Sequence, residues 1–207
     1  MAAGRPTLHI LAGPNGAGKT TLYETRVRQL TAGAEFVNAD LLALERFGHP
    51  AATFEESAEG QRLAEERREA LISSGRSLVA ESTFSHRSKL DLLRRAKAAG
   101  FRVVVYHVSV DGADLAVERV RARVKEGGHP VPETKVRERY ARNQALIRQA
   151  VREADQAFIF DNSALERSHV RVLTFKNGQV MDRVHELPRW AVAIYGQDLQ
   201  PQDAGST

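Results

Sequence analysis

The segment Gly13-Pro14-Asn15-Gly16-Ala17-Gly18-Lys19-Thr20 constrains this chain more than any other. It fits G-x-x-x-x-G-K-[ST], the pattern of a loop that cradles phosphates. Before it, Leu8-His-Ile-Leu-Ala12 is an apolar run that reads as a buried strand; after it, from Thr21 on, the residues are compatible with a helix. Gly13, Gly16 and Gly18 let the backbone turn its amides inward as an anion nest. The helix that follows points its positive end at the same place. Lys19 sets a point charge against the β- and γ-phosphates, and the Thr20 hydroxyl is placed to coordinate Mg²⁺. The bland alternative is a glycine-rich turn that only joins a strand to a helix. The pattern in this context implies ATP and Mg²⁺ as cofactors, and the fate of the γ-phosphate must be read elsewhere in the chain.

Composition narrows the setting. At 207 residues the chain is most simply one domain with a core of its own. It has no cysteine, which excludes disulfides and thiolate metal sites and suits a reducing compartment. No apolar stretch approaches the roughly 18 residues that span a bilayer, and residues 1–6 lack the apolar core of a signal peptide. A cytoplasmic protein with no membrane partner is expected. The 30 Lys and Arg against 26 Asp and Glu leave only +4. With aromatics at 6% and no basic stripe with interleaved aromatics, nucleic-acid binding is not expected.

Apolar runs alternate with helical ones. Strands are predicted at 8–12, 35–38, 77–80, 101–110 and 157–160, and helices at 19–30, 39–47, 54–73, 88–99, 113–125 and 132–154. Near-continuous apolar strands between helices predict a mainly parallel sheet covered on both faces, a three-layer α/β/α P-loop NTPase fold. Residues 170–175 and 179–184, joined at Asn177-Gly178, predict a hairpin that extends the sheet edge. The organisation is therefore a single domain over 1–207, with a core at 7–165, a lid at about 119–142, and a C-terminal hairpin and tail at 168–195. Trp190 and His107 are expected to pack in the core. The mixed charges near Glu65, with Arg68 or Glu69 at helical spacing, predict a solvated, ion-paired face.

Ligands in such sheets sit at the carboxyl ends of the strands. Phe36-Val-Asn-Ala-Asp40 puts a carboxylate just past the second strand. Asp40 is either the base that accepts a proton from an acceptor hydroxyl or the cap of the next helix, and the two roles can coexist. This placement assumes that strand two lies near strand one. Ser77-Leu-Val-Ala-Glu-Ser-Thr-Phe84 ends the third strand with Glu81, Ser82 and Thr83. Glu81 would orient substrate or hold a magnesium-bound water, and the two hydroxyls would donate to a substrate phosphate or sugar; ordinary turn capping is the alternative.

Glu118-Arg-Val-Arg-Ala-Arg-Val124 leads into Gly127-Gly-His-Pro-Val-Pro132 and a further helix with Arg137, Arg139 and Arg142. A helix, a Gly/Pro-broken loop and a helix read as a lid that brings arginines over the phosphates. Most of these arginines are expected on the solvated surface. Arg119, Arg123 and Arg137 are expected to reach ligand, with His129 as a further contact.

Together these segments resemble the zeta toxin family of small P-loop kinases. The resemblance rests on the phosphate loop through Thr21, Asn38-Ala-Asp40, Glu81-Ser-Thr-Phe-Ser85, Glu118-Arg-Val-Arg-Ala-Arg-Val124, Gly127-Gly-His-Pro-Val-Pro132, Arg139-Tyr140 and Asp161-Asn-Ser163, in that order, over about 7–165. It implies transfer of the ATP γ-phosphate to a hydroxyl of a small molecule, which in known members is the 3′-hydroxyl of UDP-N-acetylglucosamine. It implies Lys19 and Thr20 on ATP and Mg²⁺, Asp40 as general base, and Glu81 and Thr83 on substrate. Arg119 or Arg123 would steady the transferring phosphate, with His129 or Arg137 as the second lid group. An antitoxin protein is the partner implied. Two other readings stand beside it: a regulatory or nucleic-acid-associated NTPase, and an antibiotic or nucleoside kinase.

Overall fold

A computed structural model describes residues 4–128, 130–164 and 169–199. The elements run β1 (Thr7–Ala12), α1 (Lys19–Leu22), a π-helical turn (Tyr23–Val27), α2 (Arg28–Leu30), β2 (Glu35–Val37), α3 (Ala39–Phe47), α4 (Phe54–Ser73) and β3 (Leu78–Ser82). They continue with α5 (Ser88–Ala98), β4 (Arg102–Ser109), α6 (Ala113–Lys125), α7 (Glu133–Glu153), β5 (Gln156–Asp161), β6 (Val170–Lys176), β7 (Gln179–Arg183) and α8 (Arg189–Tyr195). Among the described residues the sheet has the order β2-β3-β1-β4-β5-β6-β7. The first five strands are parallel, and β6 and β7 add the antiparallel hairpin at one edge. This is the P-loop NTPase architecture expected from the sequence.

Alternation along the strands builds the two outer layers. In β4, Val103 and Val105 face a cluster with Leu71, Leu90, Leu93, Ile147 and Val151 from α4, α5 and α7. Val104, Tyr106 and Val108 face the other side, where Leu22, Tyr23 and Val27 of the loop's own helix pack. Burying each such side chain contributes about 1.5–3 kcal/mol, so the helix behind the phosphate loop is anchored by its apolar stripe. Helix α8, which no sequence signal announced, closes the first cluster with Trp190, Ile194 and Tyr195.

Two details depart from expectation. The second strand does not adjoin the first; β3 lies between them. Arg68 is also not on a solvated face. It is 2% exposed and bonded to Glu65 at 2.8 Å, because helix α4 turns that side toward the sheet. No helix among the described residues is long and apolar enough to cross a membrane.

Buried histidines make stability pH-dependent. His107 accepts or donates a hydrogen bond with the Tyr195 hydroxyl at 2.8 Å, and burial lowers its pKa from 6.5 to about 3. Burial, helped by Arg102, lowers that of His9 to about 4. Below pH 6.5 the unfolded chain takes up protons that the folded chain refuses. Stability is therefore full above that pH and falls as pH drops toward the folded values. Each histidine adds a slope of about 1.4 kcal/mol per pH unit in that window. Urea midpoints measured between pH 7 and pH 5 should fall accordingly, and His107→Phe should flatten the slope; a pH-independent midpoint would contradict it.

Candidate active site

Strand β1 ends at Ala12 and the chain turns through the phosphate loop into α1. The loop packs too closely for side chains at two glycines. A Cβ on Gly13 would lie 2.0 Å from the Val108 carbonyl oxygen, and Gly18 sits at φ 90° against a neighbour 2.5 Å from where a Cβ would be. Ala17 N–H donates to Pro14 O at 3.3 Å and tightens the bend. Lys19 is buried, and its Nζ curls back to donate to Pro14 O at 3.0 Å. Burial pushes the pKa of its ammonium down, while Glu81, 3.9 Å away, pulls it up.

Glu81 comes from β3, whose pairing with β1 sets Leu11 beside Glu81 and Ala12 beside Ser82. Its carboxylate accepts from Thr20 Oγ1 at 3.2 and 3.0 Å and from Asn38 Nδ2 at 2.9 Å. Lys19, Thr20 and Asn38 thus converge on one carboxylate. A hydroxyl and a carboxylate at this separation are hard oxygen donors of the kind Mg²⁺ takes alongside phosphate oxygens. Among the described residues no three acidic or imidazole side chains gather into a self-sufficient metal site.

Asp40 does not cap α3. Asn38 does, its Oδ1 accepting from Asp40 N at 2.8 Å and Leu41 N at 3.2 Å. Asp40 stands exposed in the first turn, two strand spacings from β1, about 10 Å. Its charge still reaches the cleft, raising the pKa of both Lys19 and Arg139.

The other hydroxyls are engaged locally. Ser82 Oγ accepts from Phe84 N at 2.9 Å, and Thr83 Oγ1 lies 3.3 Å from Ser85 Oγ. Phe84 is buried at φ 57°, a left-handed conformation costly for a bulky residue. The turn is tied to α7 by Asn143 Nδ2, which donates to Thr83 O.

The arginines divide. Arg119 Nη2 donates to Ser163 O at 3.4 Å, and burial lowers its pKa. Arg123 lies near enough to depress the pKa of Lys19, and its stem packs on Gly128, where a Cβ would fall 2.6 Å from Arg123 Cγ. Arg137 is turned outward: it pairs with Asp114 at 2.6 Å and with Glu133 at 2.9 Å. Arg139 takes the place expected of it, its Nη1 donating to Asn15 Oδ1 at 3.3 Å. A signal for this existed in the stripe Val136, Tyr140, Asn143, Ile147, which marks the inward face of α7. Arg139 is four residues before Asn143 on that face, and Arg137 is off it. His129 lies outside the described residues. The structure thus gathers the phosphate loop, Asn38, Asp40, Glu81, Arg123 and Arg139, and leaves Arg137 outside.

A family model described as AAA domain matches residues 8–146. The AvrRxo1-ORF1:AvrRxo1-ORF2 complex, solved with sulphate ions and with ATP, superposes at TM-score 0.68 with 21% identity, over 98% of this chain and 66% of that one. The PezAT chromosomal toxin-antitoxin system of Streptococcus pneumoniae superposes at TM-score 0.57 with 16% identity, over 82% of this chain and 72% of that one. An uncharacterized protein of Haemophilus influenzae is 37% identical over 60 residues, 29% of this chain and 43% of that protein. The chain therefore spans less than two thirds of the length of the first of these relatives, and the likeness to the solved structures is one of fold.

Proposed function

The chain belongs to the AAA domain family, and from that premise we propose that it is an ATP-dependent phosphotransferase moving the γ-phosphate to a hydroxyl of a small molecule. The observation that carries this reading is electrostatic. Asp40, Lys19 and Arg139, from three separate elements, act on one another's charge in a single cleft at the carboxyl ends of the parallel strands. A loop that only bound and hydrolysed nucleotide has no need of a second carboxylate facing its lysine from a neighbouring strand end.

In this reading the loop amides and Lys19 hold the triphosphate, and Arg123 and Arg139 neutralise charge on the transferring group. Asp40 accepts the proton of the acceptor hydroxyl. Thr20 and Glu81 would hold Mg²⁺, which supplies further neutralisation of the phosphate oxygens. The finer assignment, to zeta-toxin-like kinases acting on a nucleotide-sugar such as UDP-N-acetylglucosamine, is supported by the ordered motifs. An antitoxin-like protein partner and a cytoplasmic setting belong to the same proposal.

The test is a panel of nucleotide-sugars, nucleosides and aminoglycosides incubated with γ-labelled ATP and Mg²⁺. Label recovered on one acceptor class is expected. Release of free phosphate alone, unchanged by any acceptor, would contradict the assignment and favour a switch NTPase.

A further inference from the structure

We propose that Asn162 and His169 form a clamp on the back of the phosphate loop that aims its amides at the nucleotide, making the C-terminal hairpin a working part of the site. This rests on the kinase reading only in taking a nucleotide as the ligand. Asp161 of β5 pairs with Val170 of β6, so Asn162 and His169 emerge side by side at the end of that strand pair. Asn162 N–H donates to Ser109 O at 2.9 Å, continuing the β4–β5 ladder to the level of the loop.

Both side chains then reach the loop across about 150 residues of sequence. Asn162 Nδ2 donates to Ala17 O at 2.9 Å, and its Oδ1 accepts from His169 N at 3.3 Å, so both ends of the amide are used. His169 Nε2 lies 2.9 Å from Gly18 O. A carbonyl oxygen can only accept, so that nitrogen carries the hydrogen. Arg26, in the π-helical turn behind the loop, donates to His169 O at 2.9 Å and fixes the clamp from the other side.

Peptide planarity converts these contacts into function. In a trans peptide the carbonyl of one residue and the N–H of the next point in opposite directions. Drawing Ala17 O back toward Asn162 turns the Gly18 N–H forward. Drawing Gly18 O toward His169 turns the Lys19 N–H forward. These two amides belong to the concave nest that receives phosphate oxygens. A Cβ on Gly18 would sit 2.5 Å from Asn162 Nδ2 and 3.1 Å from His169 Nε2. Gly18 is thus required by the clamp as well as by its backbone conformation. Both clamp residues are buried, at 8% and 1% exposure, so the amides are set before nucleotide arrives.

The experiment compares Asn162→Asp, which keeps the shape and removes the donor, with His169→Leu and His169→Gln, of which only the second retains a donor. Dissociation constants for Mg·ATP, acceptor turnover at varied ATP, and melting midpoints without nucleotide are measured. Asn162→Asp and His169→Leu should weaken ATP binding about tenfold each and act through KM for ATP more than through kcat. His169→Gln should recover affinity to within about twofold of wild type. Ring ¹⁵N spectra of the wild-type protein should show a slowly exchanging Nε2–H on His169, a readout that holds even where a variant does not fold. Unchanged ATP affinity in Asn162→Asp and His169→Leu, or the Nδ1–H tautomer in the wild type, would overturn the clamp. A wild type that binds ATP but phosphorylates no acceptor would overturn the kinase reading and leave the clamp standing; one that binds no ATP would overturn both.

Discussion

Replacing Asp40 with asparagine is expected to slow phosphoryl transfer by about 10²–10⁴-fold, the contribution of a positioned general base. Binding of Mg·ATP should change little. The substitution keeps shape and leaves the α3 cap intact, because that cap is made by Asn38 and not by Asp40. The residue is exposed, so no buried partner is orphaned and the melting midpoint should hold. Loss of kcat without loss of ATP affinity separates a base from a phosphate-binding role. If Asp40→Asn retained wild-type turnover with its acceptor, the carboxylate would have no part in proton transfer.

Lys19→Met is the second large effect, with transfer expected to drop by about 10²–10³-fold through lost stabilisation of charge on the transferring group. Its signature lies in the contrast with stability. The Lys19 ammonium is buried, and desolvation outweighs the help it receives from Glu81 and Asp40, so its pKa is lowered. A charge held under those conditions is costly to the nucleotide-free fold. Methionine fills the same channel without that cost, and Glu81 keeps its bonds from Thr20 and Asn38. The melting midpoint without nucleotide should therefore stay level or rise while activity collapses. A clear fall in the midpoint would mean that Lys19 serves the fold more than the ligand.

Local chemistry was legible where it carried a strong pattern. The boundaries of α3, α4 and α6 follow from caps and periodicity, and the three-layer fold from apolar runs between helices. The phosphate loop's neighbours follow from the rule that sites collect at strand ends. Topology was less legible: nothing in the residues 35–40 says that β3 will enter between β2 and β1, yet that insertion sets Glu81, not Asp40, beside Lys19 and Thr20. Arg137 and Arg139 carry the same charge two positions apart, and only the buried stripe of α7 separates them. Asn162 was visible within Asp161-Asn-Ser163, but its grip on Ala17 O depends on a fold-level approach, and His169 follows no local pattern. Helix α8 is seven residues long and too short for periodicity to announce.

The most direct test is a crystal structure of the protein with Mg²⁺ and a non-hydrolysable ATP analogue. The expected result is a triphosphate wrapped by residues 13–20, its γ-phosphate flanked by Lys19 and Arg139, with the Asp40 carboxylate opening onto the same cleft across space for an acceptor. A triphosphate whose γ-phosphate faces away from Asp40, with the two side chains on separate surfaces, would contradict the account.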